Sequence, residues 1–207
     1  MLQKQQYYIR AGSSFIPTPH DVLAGMFGKR PQPHVFHNYI LSMAEIHGAA
    51  ALKGAAALKF SVGFAACNNG PGIASDIFVT ALMLDIPGDN CELRFEPTDN
   101  SNWTGVWAFE RKMSLISVPN YRLPPGVEVQ PLILHISLSP PFKNDLKVKG
   151  SVGSGASPTC NFEIGNTKEN VERLYNECIK KYKKGTLTAE EHHSYPQSIL
   201  QPKMNEA

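Results

Sequence analysis

Between Phe60 and Ile164, large apolar residues recur at every second position, the period of a strand with one dry and one wet face. Leu132, Leu134, Ile136 and Leu138 alternate with Ile133, His135, Ser137 and Ser139; Cys91, Leu93 and Phe95 alternate with Glu92, Arg94 and Glu96. Leu146 and Val148 alternate with Lys147 and Lys149, and Cys160, Phe162 and Ile164 with Asn161 and Glu163. In Phe60 to Ala66 the large residues fall on one face and the small ones on the other. Asp76 to Asp85 is apolar on both faces and predicts a central strand. Turn signals separate these runs: Asn69-Gly70-Pro71-Gly72, Pro87-Gly88-Asp89-Asn90, Pro124-Pro125-Gly126 and Ser139-Pro140-Pro141. Seven or eight strands at this spacing predict an immunoglobulin-like antiparallel β-sandwich spanning residues 41–165.

The flanks have a different character. Residues 1–40 predict a strand-turn-helix segment: a β-prone Tyr7-Tyr8-Ile9-Arg10, a turn at Ala11-Gly12-Ser13-Ser14, a helix through Val22, Leu23 and Met26-Phe27 ended by Gly28, and an extended Pro31-Gln32-Pro33 connector. Residues 166–185 predict an amphipathic helix, with Val171, Leu174, Tyr175, Cys178, Ile179 and Tyr182 on one stripe. Asn166 is its expected cap, with Glu169 at the third helical position reaching back. Lys180, Lys181, Lys183 and Lys184 crowd the last turn, where cations suit the helix dipole, before Gly185. Residues 186–207 are polar and broken by Pro196 and Pro202, which predicts a loosely ordered tail. The hexamer Gly-Ala-Ala-Ala-Leu-Lys occurs twice in tandem over residues 48–59. In a strand this duplication keeps every side chain on its face, whereas in a helix it rotates the downstream segment by about 240°, so a strand or surface loop accommodates it better.

Composition narrows the class. The 207 residues carry 20 Lys+Arg against 18 Asp+Glu, a net charge of +2, which gives no bulk attraction to nucleic acid or anionic lipid. There is no run of 18 apolar residues and the first six residues lack an apolar core, so neither a membrane span nor a signal peptide is expected; the expected location is the cytoplasm. Cys67, Cys91, Cys160 and Cys178 form no C-x-x-C pair and read as four reduced thiols acting as small core hydrophobes.

Few motifs carry chemistry. His34-x-x-His37 sits in extended chain, where three residues apart means opposite faces, and no third ligand lies nearby. His192-His193 falls in the expected tail, while His47 and His135 are single, His135 on a wet face. No metal site is expected. Gly153-Ser154-Gly155 lacks the strand-to-helix setting of a nucleophile elbow, and Gly12-Ser13-Ser14 lacks the lysine of a phosphate loop. No catalytic residue, no cofactor and no enzymatic activity are expected. Arg10, Ser13 and Ser14, with Lys29 and Arg30, form the candidate phosphate or nucleic-acid contact. Trp103 and Trp107, with Val171, Leu174 and Tyr175, form the candidate partner-docking surface; the alternative for the two tryptophans is that they cap the end of the sandwich core.

Two resemblances rest on local motifs. Tyr7-Tyr8-Ile9-Arg10-Ala11-Gly12-Ser13-Ser14, with Met26-Phe27-Gly28-Lys29-Arg30, resembles the segment that ends the Schlafen/AlbA-like DNA-binding, ATP-binding domain of bacterial proteins. Asn68-x-Gly70-x-x-x-Ala74 and Leu123-Pro124-Pro125-Gly126 resemble the inter-strand turns of bacterial immunoglobulin-like domains, where Asn and Gly serve the turn. The resemblance implies the C-terminal accessory half of a Schlafen/AlbA-like protein. The expected role is a non-catalytic accessory or sensing module that docks on a protein: its own missing N-terminal domain, another subunit, a second copy of itself, or a separate partner. The alternative is nucleic-acid binding through a basic surface.

Overall fold

The alternating segments of the computed structural model pair into two antiparallel five-stranded sheets stacked face to face, so the protein is mainly β. Residues 8–11, 14–17, 31–48, 56–98, 101–108 and 111–202 are described. A separate hairpin pairs β1 (Tyr8–Ala11) with β2 (Ser14–Pro17). The predicted helix through Val22 and Met26 lies outside the described residues, as does most of the duplicated hexamer.

The first sheet contains β3 (Val35–Leu41), β4 (Glu45–His47), β5 (Ala57–Asn68), β7 (Glu92–Pro97) and β10 (Glu128–Leu138), in the order β3-β5-β10-β7. β4 continues the edge begun by β3, both pairing with β5. Residues 42–44 bulge where the two meet, opposite only Phe60 and Ser61. There Ser42 N–H donates to Ser61 C=O at 2.9 Å and Ser61 N–H to Ser42 Oγ at 2.8 Å. A bulge at a sheet edge interrupts the template on which a foreign strand would pair. The second sheet runs β12 (Ser157–Asn166), β11 (Leu146–Ser154), β6 (Phe78–Asp85), β9 (Lys112–Ser117), β8 (Trp103–Ala108), which makes β6 central as its two-sided apolar pattern predicts. The chain crosses between sheets after β5, β6, β7, β9 and β10, and the β5/β10 pair lies in one layer and the β6/β11 pair in the other.

Inward positions fill the gap between the layers. Leu58, Phe60, Val62 and Phe64 of β5 and the four predicted apolar residues of β10 are buried with Val79, Ala81 and Met83 of β6, Val148 and Val152 of β11, and Phe162 and Ile164 of β12. Phe64 and Phe162 stack across the layers with centroids 5.2 Å apart and planes 18° off parallel. The Phe162 ring occupies the space above Gly150, where a Cβ would overlap it and the Thr80 carbonyl. This complementarity is the interlocking that closely packed cores require.

Asn68 fastens the crossing after β5. It has no exposed surface, and its side chain fills all four of its hydrogen-bonding positions. Oδ1 accepts from the N–H groups of His34 (3.1 Å) and Gly70 (3.2 Å); Nδ2 donates to the carbonyls of Gly72 (2.7 Å) and Leu123 (2.9 Å). Ala74, fully buried, bridges Leu123. The Asn and Gly residues thus serve a turn between strands.

The C-terminal region closes one end of the sandwich and corrects several expectations. α1 (Lys168–Lys183) buries Val171, Leu174, Tyr175, Cys178 and Ile179 within the chain, with the Tyr175 hydroxyl donating to the Ala56 carbonyl and its ring edge-on to Phe142 at 5.3 Å. The cap is Thr167, accepting from Asn170 N–H, one residue later than expected. The tail expected to be loose instead forms α2 (Ala189–Ile199), which carries a capping box: Thr188 Oγ1 accepts from Glu191 N–H, and Glu191 accepts from Thr188 N–H. Tyr195, Ile199 and Leu200 are buried, and Gly165 N–H donates to Gln201 C=O. Pro196 explains how α2 docks. Having no N–H, it leaves the His192 carbonyl without its helical donor, and that carbonyl accepts from Ala44 N–H at 2.8 Å. His192 Nδ1 returns a bond to the Ala44 carbonyl at 2.7 Å. The clasp pins Ala44, the last residue of the bulge, to α2.

Two boundaries also move. Residues 1–40 were expected to lie outside the sandwich, but Val35–Leu41 is a sheet strand, and the two sheets hold ten strands among the described residues rather than seven or eight. Trp103 and Trp107 lie within β8, outside the runs that alternation singles out.

Candidate binding face

The outer face of the first sheet is a grid whose rows are fixed by strand register. Glu45, Lys59, Ser137 and Glu92 form one row across β4, β5, β10 and β7. The next row carries Ser61, His135 and Arg94, and the one after it Ile40, Gly63, Ile133 and Glu96. On the two middle strands Ser61, Gly63 and Ser137 leave a trough between the longer side chains of Lys59, His135 and Ile133. The Gln130 side chain closes it at Gly63, where a Cβ would collide with that amide. The open part is a cleft of about 560 Å³ reaching from Ser42, Met43 and Glu45 on one rim to Glu92, Arg94 and Glu96 on the other.

Both signs of charge line this cleft. Arg94 Nη2 is 2.7 Å from Glu96 Oε2, and His135 Nε2 lies 3.2 Å from the same oxygen. Lys59 and Glu92 form no ion pair with another described residue. Ile40 and Met43 add exposed apolar surface along the bulged edge, at 46 % and 43 % exposure. Charged groups at rest in water with an apolar rim suit a polar, extended ligand rather than a desolvated one. At the far end of the face, Glu128 accepts from Asn38 Nδ2 (2.9 Å) and Cys67 Sγ (2.8 Å). These two bonds hold the Glu128 carboxyl below its usual range, while burial, with the carboxylate beside it, pushes the Cys67 thiol up to about 12.

The residues singled out from sequence fall elsewhere. Arg10 and Ser14 lie in the β1–β2 hairpin, where Arg10 pairs with Phe15 and Ala11 with Ser14. Ser13, Lys29 and Arg30 lie outside the described residues. Val171, Leu174 and Tyr175 are buried under the sandwich and Trp103 is buried against Tyr121, so these four are not a docking surface; the backbone of Trp107 lies in β8. The apolar stripe that suggested a partner is covered by the chain's own core. His34 is exposed ahead of β3 while His37 faces inward, and among the described residues no group of three or more His, Cys, Asp or Glu is placed to hold a metal ion. Lys59 and Glu45 carry no signal in the sequence that would single them out. Glu92, Arg94, Glu96, His135 and Ser137 are visible there only as wet positions.

No protein-family model and no curated protein sequence matches the chain. Among the described residues no helix is long and apolar enough to cross a membrane.

Proposed function

We propose that the chain is a non-catalytic binding module whose ligand is an extended polypeptide segment carrying both acidic and basic side chains, held on the outer face of the first sheet. The observation that carries this reading is the cleft itself: four strands place Lys59 and Arg94 among Glu45, Glu92 and Glu96 around a small-residue floor. Charges of both signs select a partner of complementary pattern and disfavour a uniformly charged polymer. The segment belongs to a partner protein or a neighbouring domain, as the resemblance to a C-terminal accessory half of a Schlafen/AlbA-like protein implies.

A photo-cross-linking residue at Ser61 or Ser137 tests this in extracts of the source cells. The expected result is an adduct with a polypeptide that disappears when Lys59→Glu and Arg94→Glu are combined. The same probe at Asn161, on the outer face of the second sheet, gives none. Lys59 and Arg94 are exposed, but the reversals set like charges beside Glu45 and Glu96, so a loss of about 1–2 kcal/mol is expected and a native circular dichroism spectrum is the control. Equal labelling from both faces, or an adduct indifferent to the reversals, overturns the proposal.

Nucleic-acid binding is the second reading, supported by the exposed Lys180, Lys183 and Lys184 beside exposed Tyr182 at the end of α1. It requires an affinity for nucleic acid that falls steeply with salt, by about one unit of log-log slope for each phosphate engaged. A slope near zero removes it.

A further inference from the structure

The seam where β3 of one sheet meets β12 of the other carries a thiol unlike the remaining three. Cys67, Cys91 and Cys178 are buried, and burial pushes each thiol up, Cys67 to about 12 and Cys178 to about 11. Cys160 is partly exposed on the edge strand β12, and its Sγ lies 3.2 Å from His37 Nδ1 on β3. The imidazole is held between rings, with centroids 5.2 Å from both Tyr39 and Phe162. Burial lowers the His37 pKa, so near neutral pH the ring is uncharged and one nitrogen is free to accept a proton. The Tyr39 hydroxyl is buried with no hydrogen-bond partner, and burial, with Cys160 nearby, keeps it protonated. His37 and Tyr39 are the titratable groups that face Cys160 from β3; its pairing partner on β11 is Val152.

We propose that Cys160 is a thiol-exchange site that captures a low-molecular-weight disulfide of the glutathione type as a mixed disulfide, with His37 as its base. The Cys160 S–H proton passes to His37 Nδ1 as sulfur attacks one sulfur of the incoming disulfide. The new S–S bond forms, the old one breaks, and the departing thiolate takes a proton to leave as the free thiol. Attack requires thiolate character and access, and among the four cysteines only Cys160 combines partial exposure with an adjacent imidazole base. The attached group would sit between β3 and β12 and displace the His37 contact that joins the layers.

The test incubates the full chain with oxidised glutathione near neutral pH and follows intact mass, then locates the adduct by peptide mapping. One glutathionyl group per chain is expected, on Cys160, forming at least tenfold faster than on a peptide of residues 157–163. His37→Gln should bring the rate down toward that of the peptide and move the pH-rate profile to that of an ordinary thiol. Cys160→Ser should abolish the adduct. First modification at Cys67, Cys91 or Cys178, a rate no greater than the peptide's, or an unchanged rate in a His37→Gln chain of native circular dichroism each overturns the proposal. Should the His37 variant not fold, the comparison of native chain with peptide decides alone.

Discussion

Replacing Asn68 by Asp keeps the size and shape of the side chain and changes one thing, the donor capacity of one terminal atom. In the native chain Nδ2 donates to the carbonyls of Gly72 and Leu123 while Oδ1 accepts from His34 and Gly70, all without exposure to solvent. Two donors and two acceptors around one amide also fix which end is oxygen. With Asn68→Asp, the oxygen that replaces Nδ2 faces two carbonyl oxygens and can donate nothing while ionised. Leaving a buried acceptor unpaired costs about 1–3 kcal/mol, so two cost about 2–6 kcal/mol before the desolvation of the charge is added. Protonation restores one donor and removes the charge.

The introduced carboxyl therefore binds its proton more tightly in the folded chain than at the ordinary value of about 3.9. Above that value the native state holds more protons than the unfolded state, so stability rises as pH falls and is lost as pH rises through the raised folded pKa. Urea unfolding followed by tryptophan fluorescence, at about pH 7.5 and about pH 5, measures this directly. Asn68→Asp should lie at least about 2 kcal/mol below the native chain at the higher pH and recover about 1 kcal/mol of that at the lower. Asn68→Ala, which cannot titrate, should keep the same deficit at both. An Asp variant as stable as the native chain at the higher pH, or one whose deficit widens on acidification, refutes the assignment of Asn68 as the anchor of this turn.

Gly150→Ala should lower stability by about 1–3 kcal/mol, because the Phe162 ring can shift from the new methyl group but the Thr80 carbonyl of the neighbouring strand cannot. A fall in Tm of about 4–8 °C is the expected reading for a loss near 2 kcal/mol, and an unchanged Tm would remove Gly150 from the packing argument. Pro196→Ala supplies α2 with an N–H that competes for the His192 carbonyl now taken by Ala44. Hydrogen exchange at the Ala44 amide should accelerate even though Ala suits a helix better than Pro; unchanged protection would mean that the clasp does not depend on the proline.

The legibility of each element tracks the physics of its signal. Six of the predicted runs reappear as β5, β6, β7, β10, β11 and β12, four of them because a strand buried on one face must alternate, β5 because its large residues share one face, and β6 because it is central. β3 is hidden by the prolines before it, and the strand character of Trp103–Ala108 by Gly105 in its middle. α2 is masked by its polarity and by Pro196, although Thr188-x-x-Glu191 is the spacing of a capping box. Three of its eleven positions reach the core, too few to register as a stripe. The stripe of α1 is apolar as its period predicts, yet it is not available to a partner, since periodicity shows that a face must be covered and not by what.

The binding face is hidden for a different reason. Each of its residues occupies a wet position of a recognisable strand, yet Lys59, Glu92 and Ser137 are far apart along the chain and become one row only through register. Register in turn is set by devices that alternation does not encode: the bulge at residues 42–44, a second irregularity between Val129 and Leu132, and the Asn68 turn that fixes where β5 ends. A slip of one residue in the pairing of β10 with β5 and β7 would send His135 inward and the leucines of β10 out. The same apolar alternation that makes such a slip costly therefore holds the charged row in place, so the precision of the outer face comes from the burial of the inner one.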